Sequence, residues 1–280
     1  MTQTFLTKLR FLNGGYCSQF ARLAGAKSWK WIRFPAIFLY FEHPVHGASL
    51  IDTGYSSHFI SETRPFPERF YRWLTPVNLR GKEDPLRTMA DSGLDPSNVR
   101  RIFISHFHAD HVAGLRYFST PELVYRKETY RQLMEQSRVN QVRHGFLSGL
   151  IPSDFESRGV GFDESRFIPG TGPLETFSVY DYWGDGSLIL VDLPGHSEGH
   201  FGFLLRTETE TLFYIVDACW HLEVLLSGDS LPWITRRIQS DWGEYRTTQE
   251  KLRRLQRKTD WTFAACHCPR TGERAENAKH

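Results

Sequence analysis

The stretch His106-Phe107-His108-Ala109-Asp110-His111 decides how this chain reads. Four of its six residues carry side chains that can ligate a metal, and imidazole with carboxylate suits zinc, iron or manganese. It follows Ile102-Phe103-Ile104, the apolar centre of a buried strand expected over Val99–Ser105. His106 and His108 alternate, so an extended turn aims both rings at one point. Asp110 and His111 come as the chain turns into a helix, expected to start over Val112–Tyr117, and aim at a second point nearby. Crowding so many polar groups into one partly buried turn is costly unless something satisfies them.

Working outward, the same layout recurs: an apolar strand, then a donor. Asp52-Thr53-Gly54 follows Ala48–Ile51, and His196 sits in Leu193-Pro194-Gly195-His196-Ser197-Glu198-Gly199-His200. Asp217 ends Leu212-Phe213-Tyr214-Ile215-Val216, and His267 ends Phe263-Ala264-Ala265-Cys266. Cys219, Cys266 and Cys268 lie near these donors. Alternation around a strand-end histidine turns Cys266 and Cys268 away from the metal, so all three read as small buried hydrophobes.

The remaining segments read as a strand over Thr4–Phe11 ended by Asn13-Gly14-Gly15, then a hairpin of Ala36–Phe41 and Ala48–Ile51. Residues 55–95 carry Pro65, Pro67, Pro76 and Pro85 with Phe66, Phe70, Tyr71 and Trp73 between them, which suggests short helices and a loop. Arg87–Gly93 reads as a helix end stopped by glycine. Leu123–Tyr125 is a short strand, Glu128–Glu135 a helix, and Ser137 to Gly172 an extended insertion of weak periodicity. Phe177–Tyr182, Ser187–Leu193, Phe201–Arg206 and Thr211–Val216 are strands at hairpin spacing. An amphipathic basic helix over Arg246–Arg257 precedes a last strand, Trp261–Ala265. The pattern suits two layers of sheet with helices outside, in one domain over 1–280 with insertions near 55–95 and 137–172.

Composition narrows the function. With 280 residues, 40% hydrophobic and 24% charged, the chain can bury a core without disulfide staples. A formal net charge of +2 argues against a nucleic-acid footprint, and the basic tract of Arg246–Lys258 reads as a solvated helix face. Four cysteines at uneven spacing make no disulfide framework. Met1–Phe11 carries Lys8 and Arg10 within its apolar stretch and does not read as a signal peptide, and no run is long enough to span a membrane, so the expectation is a cytoplasmic protein with no membrane partner. Abundant aromatic residues suit an apolar substrate moiety and are compatible with a homodimer.

The order His-x-His-x-Asp-His, then Gly-His, then Asp, then His, with the early Asp52-Thr53-Gly54, resembles the metallo-β-lactamase superfamily of dinuclear hydrolases. The resemblance spans residues 52–267. It implies an α+β fold, an αββα sandwich of two mixed β-sheets with helices on the outer faces. It implies two divalent metal ions, zinc foremost with iron or manganese as alternatives. His106, His108 and His196 would hold one ion and Asp110, His111 and His267 the other, with Asp217 bridging and Asp52 orienting a ligand. A hydroxide held between the metals would attack a carbonyl centre, with Asp110 orienting it and carrying its proton to the leaving group. The late hexapeptide and the long gaps are similar to the N-acyl homoserine lactone lactonase branch, which implies a lactone or other ester as substrate. Glyoxalase II-like thioesterases, phosphodiesterases, nucleases and a non-catalytic binding protein are the alternatives. Members of the lactonase branch carry a Tyr three residues after the bridging Asp, and here that position is Trp220, which can donate a hydrogen bond but not transfer a proton. His221 is the neighbouring candidate to replace it.

Overall fold

The computed structural model describes residues 4–277 and divides the chain into two compact units. The first comprises Lys8–Gln19, Arg33–Asp163 and the chain from Pro269. Its sheet has seven strands, β1 (Thr7–Phe20), β2 (Trp31–His43), β3 (Gly47–Ile51), β4 (Val77–Asn78), β5 (Val99–Phe103), β6 (Glu122–Arg126) and β7 (Gly159–Phe162), in the order β4-β1-β2-β3-β5-β6-β7. β2 and β3 form the expected hairpin, while β3, β5, β6 and β7 run parallel. The short helices α1 (Ser57–Glu62), α2 (Arg69–Leu74) and α3 (Pro85–Ala90) fill the proline-punctuated segment. Helices α4 (Ala109–Val112), α5 (Lys127–Met134), α6 (Arg138–Arg143) and α7 (Phe155–Arg158) follow later strands. The core packs Phe38, Leu50, Ile102, Val112 and Leu123 with Phe59, Phe107, Phe146 and Phe155, all buried.

The second unit comprises the chain up to Thr7, Phe20–Ile32 and Glu164–Cys268. Its six strands, β8 (Ile168–Pro169), β9 (Ser178–Asp181), β10 (Leu188–Asp192), β11 (Phe201–Arg206), β12 (Thr211–Tyr214) and β13 (Thr262–Ala264), lie in the order β13-β12-β11-β10-β9-β8. All neighbours are antiparallel except β12 and β13. Helices α8 (Leu222–Ser227), α9 (Trp233–Arg237) and α10 (Trp242–Lys258) complete it, and the first unit ends with α11 (Pro269–Asn277). The basic helix buries Tyr245, Leu252 and Leu255 and leaves its arginines outside, as its amphipathic pattern demands.

Three expectations need correction. Asn13-Gly14-Gly15 does not end the first strand, because β1 runs through it to Phe20. Gly14 is there for close approach: a Cβ would stand 2.7 Å from the Cα of Gly54, whose own φ is +70°. The helix after the hexapeptide begins at Ala109 rather than Val112. His108 is its extended N-cap residue, and Asp110 falls in the first turn, where a carboxylate meets the positive end of the helix. Finally, the stretch from Ser137 to Gly172 includes β7, which pairs with β6 from Leu123↔Gly159 to Arg126↔Phe162 and so forms an edge strand of the sheet.

Candidate metal centre

The first unit assembles one set of donors where β3 and β5 end. These strands run parallel in the register Ile51↔Phe103, so Asp52 emerges beside Ser105. The Asp52 carboxylate, fully buried, accepts from the Ser105 N–H (2.9 Å), the Ser105 hydroxyl (2.7 Å) and the His111 Nδ1–H (2.8 Å). Since the Ser105 proton goes to Asp52, its oxygen accepts from His106 Nδ1 at 3.0 Å. One carboxylate therefore orients two rings, His111 directly and His106 through Ser105, and leaves Nε2 of each as the lone-pair donor. Burial pushes the Asp52 carboxyl above its ordinary value, against the lowering effect of His111 and Ser105.

The neighbouring Thr53 completes the motif. Its N–H and its hydroxyl both donate to the His111 carbonyl (2.9 and 2.8 Å), and its Oγ1 accepts from Gly114 N–H at 3.1 Å. Asp52-Thr53-Gly54 thus clamps α4 by its side chains and its backbone. Asp52 itself stands at φ +62°, a left-handed conformation costing about 1–2 kcal/mol that the surrounding bonds hold in place. His106 packs at 4.5 Å from His108 and 4.0 Å from His111, ring centre to ring centre. Nδ1 or Nε2 of His106 and of His108 lie within 4.8 Å of one another. His111 Nε2 stands 3.5 Å from Asp110 Oδ2.

The second unit assembles the other set. Asp217 is 2% exposed and follows Val216, a β-branched residue forced to φ +50°. Its N–H donates to His200 Nε2 (3.2 Å), and His200 Nδ1–H donates to the Leu193 carbonyl (2.9 Å), so His200 positions the Asp217 backbone. His196 Nε2 and His267 Nε2 lie 3.3 and 3.0 Å from the same oxygen, Asp217 Oδ2. His196 Nδ1 donates to Gln239 Oε1 at 3.0 Å, because the Gln239 amide NH2 is spent on the Thr235 carbonyl.

These bonds test the fit to a metal. His196 and His111 each spend a ring N–H on a fixed acceptor, Gln239 and Asp52. Each then presents the lone pair of Nε2 to a carboxylate oxygen, of Asp217 and Asp110 respectively. Two electron-rich atoms facing each other in a buried site repel unless a proton or a metal cation lies between them. Neutral imidazole and carboxylate are ligands for a divalent ion of the zinc, iron or manganese type.

Of the residues singled out from sequence, Trp220 and His221 have separate roles in the second unit. Trp220 sits edge-on to both His196 (5.9 Å, 81°) and His267 (6.4 Å, 77°), and its buried Nε1 has no hydrogen-bond partner among the described residues. His221 is the N-cap residue of α8, and its carbonyl accepts from Cys219 Sγ. Burial pushes the Cys219 thiol up to about 12, so it is no nucleophile at neutral pH. Cys268 packs in the core as expected. Cys266 departs from expectation: its sulfur lies within 4.8 Å of donor atoms of Asp217 and His267. β13 ends at Ala264, so Cys266 and His267 sit in a turn and the alternation that would separate them has ceased. Ser105, His200 and Gln239 are contributors the sequence reading missed. Ser105 and His200 lay inside quoted motifs, whereas nothing marks Gln239, 43 residues from its partner.

Asp52→Asn retains shape but presents an amide NH2 or a neutral oxygen where His111 and Ser105 both donate. The expected result is a loss of metal affinity of about 10- to 100-fold, read by competition with a chromogenic chelator. Unchanged affinity would reduce Asp52 to a turn residue.

The sequence profile of the Metallo-beta-lactamase superfamily matches residues 40–209. The chain therefore belongs to that superfamily, as the order of its motifs implies. It is 27% identical over 192 residues to the N-acyl homoserine lactonase AttM of Rhizobium johnstonii, 68% of this chain and 66% of that one. Against AttM of Agrobacterium fabrum it is 26% identical over 238 residues, 84% of this chain and 82% of the other. Among solved structures, an N-acyl homoserine lactone hydrolase with its product N-hexanoyl-L-homoserine bound at the catalytic metal centre superposes with a TM-score of 0.73. Identity there is 16%, and 96% of each chain is covered. The fold is the two-mixed-sheet fold of that solved structure.

Proposed function

We propose that this chain is a dinuclear metal-dependent hydrolase of lactones. The observation that carries this reading is the facing of lone pairs and carboxylates at His196–Asp217 and His111–Asp110, repeated in both units. His106, His108 and His196 would hold one ion, Asp110, His111 and His267 the other, and Asp217 both. Zinc suits this donor set best. Bound there, two such ions supply a water nucleophilic at neutral pH and an electrophile for the carbonyl oxygen.

The chain's own residues do the rest. Asp110 takes the proton of the attacking water and passes it to the alkoxide that leaves when the lactone ring opens. The network of Asp52, Ser105 and Gln239 holds the imidazoles in one tautomer throughout. Trp220, with an indole in place of a phenol, donates without exchanging a proton. Phe66, Phe70 and Trp73 touch edge-to-face at 5.2 to 5.6 Å, each half exposed or more, and offer an acyl chain an apolar surface. Four free cysteines suit a reducing, cytoplasmic setting, and no helix of the described residues is long and apolar enough to cross a membrane.

Elemental analysis followed by a panel of lactone, thioester, β-lactam and phosphodiester substrates tests this. The expectation is close to two metals per chain and turnover of acylated lactones that depends on acyl length. Metal with phosphodiester turnover alone would replace the substrate class. Protein that takes up no metal and turns over nothing would end the enzymatic reading.

A further inference from the structure

Helix α9 is inside out. Its one buried residue is polar, Thr235 at 1% exposed, and so is Gln239, 6% exposed, just past the helix end. Beside its arginines it turns outward Trp233 and Ile234, 73% and 49% exposed, and its C-cap residue Ile238 is 63% exposed. A surface helix normally does the reverse. The polar face has its explanation, since Thr235 Oγ1 donates to the Leu23 carbonyl at 2.8 Å and Gln239 holds His196. The apolar face has none within the second unit.

The bond from Thr235 ties α9 to a second segment of the same character. Beyond Leu23, Trp29 and Trp31 are 66% and 59% exposed and flank Phe20 at 5.8 and 4.5 Å. The Arg22 guanidinium lies 5.1 Å over the Trp29 ring. Neither Phe20–Ile32 nor Ser230–Ser240 contains an acidic residue. Between them they carry Arg22, Lys27, Lys30, Arg236 and Arg237, and among the described residues the one anion paired with this set is Asp229, 3.7 Å from Lys27.

We propose that this face, built from Trp29, Trp31, Trp233, Ile234 and Ile238 among basic side chains, docks on an anionic lipid surface. Tryptophan favours the interface between water and hydrocarbon, and aliphatic residues beside it add buried area. Lysine and arginine near an anionic leaflet contribute about 1 kcal/mol each. A second copy of the chain is a poorer occupant. A two-fold contact would set this cationic face against itself, and like charges would oppose it. No long apolar run announces such a face, because its residues come from two segments about two hundred positions apart, which is why a search for spans points to no membrane partner.

The test is sedimentation of the full chain with vesicles, which requires neither metal nor turnover and so stands apart from the hydrolase reading. The chain is expected to pellet with mixed phosphatidylglycerol–phosphatidylcholine vesicles at low salt. It should be released by high salt and should not pellet with phosphatidylcholine alone. Lys30→Glu with Arg237→Glu should weaken partition at least tenfold, at about fivefold per cation removed. Trp29→Ser with Trp233→Ser should do the same while the circular dichroism spectrum is unchanged. All these side chains are exposed, so both variants are expected to fold. No binding to anionic vesicles, or equal binding by either variant, would overturn the proposal. So would a wild-type dimer in sedimentation velocity that Trp233→Ser dissolves.

Discussion

Asp110→Asn is expected to lower kcat on an acylated lactone by about a thousandfold, the middle of the range for a lost general acid–base. Asparagine matches the aspartate in shape, so packing in the first turn of α4 is retained. What disappears is the carboxylate that stands 3.5 Å from His111 Nε2, and with it a group able to accept the proton of the attacking water. Part of the loss will be weaker metal retention, since an amide oxygen is a poorer ligand for a divalent ion. Rates measured across a metal titration separate the two effects. A deficit that persists at saturating metal belongs to proton transfer, and one that vanishes there belongs to binding. Turnover within tenfold of wild type at every metal concentration would remove Asp110 from the chemistry.

Gly195→Ala is expected to cost about 3–5 kcal/mol of stability. Gly195 stands at φ +115°, where an alanine is strained. Its new Cβ would overlap the backbone nitrogen and Cα of Tyr245 and come within 2.8 Å of the Glu244 carbonyl carbon. A flexible side chain could swing away from such a clash, but this is the first turn of α10, and overpacking against backbone costs about 1–3 kcal/mol in addition to the strain. Either α10 moves or the turn opens, and the turn carries His196. Two backbone bonds, Asp241 N–H to Gly195 O and Ser240 N–H to His196 O, would go with it. At about 2–4 °C per kcal/mol for a chain of this size, calorimetry should show the melting temperature down by roughly 10 °C. A shift of less than 2 °C would mean that the close approach is not needed. The Gly-His pair thus has a packing reason independent of any catalytic one.

Much of the centre was legible because its donors sit at strand ends that short-range pattern reveals. A few apolar residues followed by His106, His196, Asp217 or His267 mark where a buried strand meets a loop, and the hexapeptide packs four donors into a single turn. The hairpin of β2 and β3, the strands β9 to β12 and the basic helix α10 were readable for the same reason, since periodicity is a property of neighbours in the chain. The misreadings arose where a local signal had two meanings. Asn13-Gly14-Gly15 reads as a turn, yet Gly14 serves a backbone contact with Gly54, 40 residues on. Cys266 was judged by strand alternation that stops two residues before it.

The sequence by itself determined the family and the layout of an apolar strand followed by a candidate donor, because each follows from residues close together along the chain. Tertiary structure alone decided how those donors are held. Asp52 reaches both His111 and His106 only because β3 and β5 lie side by side in one parallel register. Gln239 fixes His196, and His200 fixes Asp217, through folding that brings separate turns together. The inverted face of α9 belongs to the same class: whether Thr235 or Trp233 points inward depends on what the helix packs against, and hydrophobicity alone would have chosen the tryptophan.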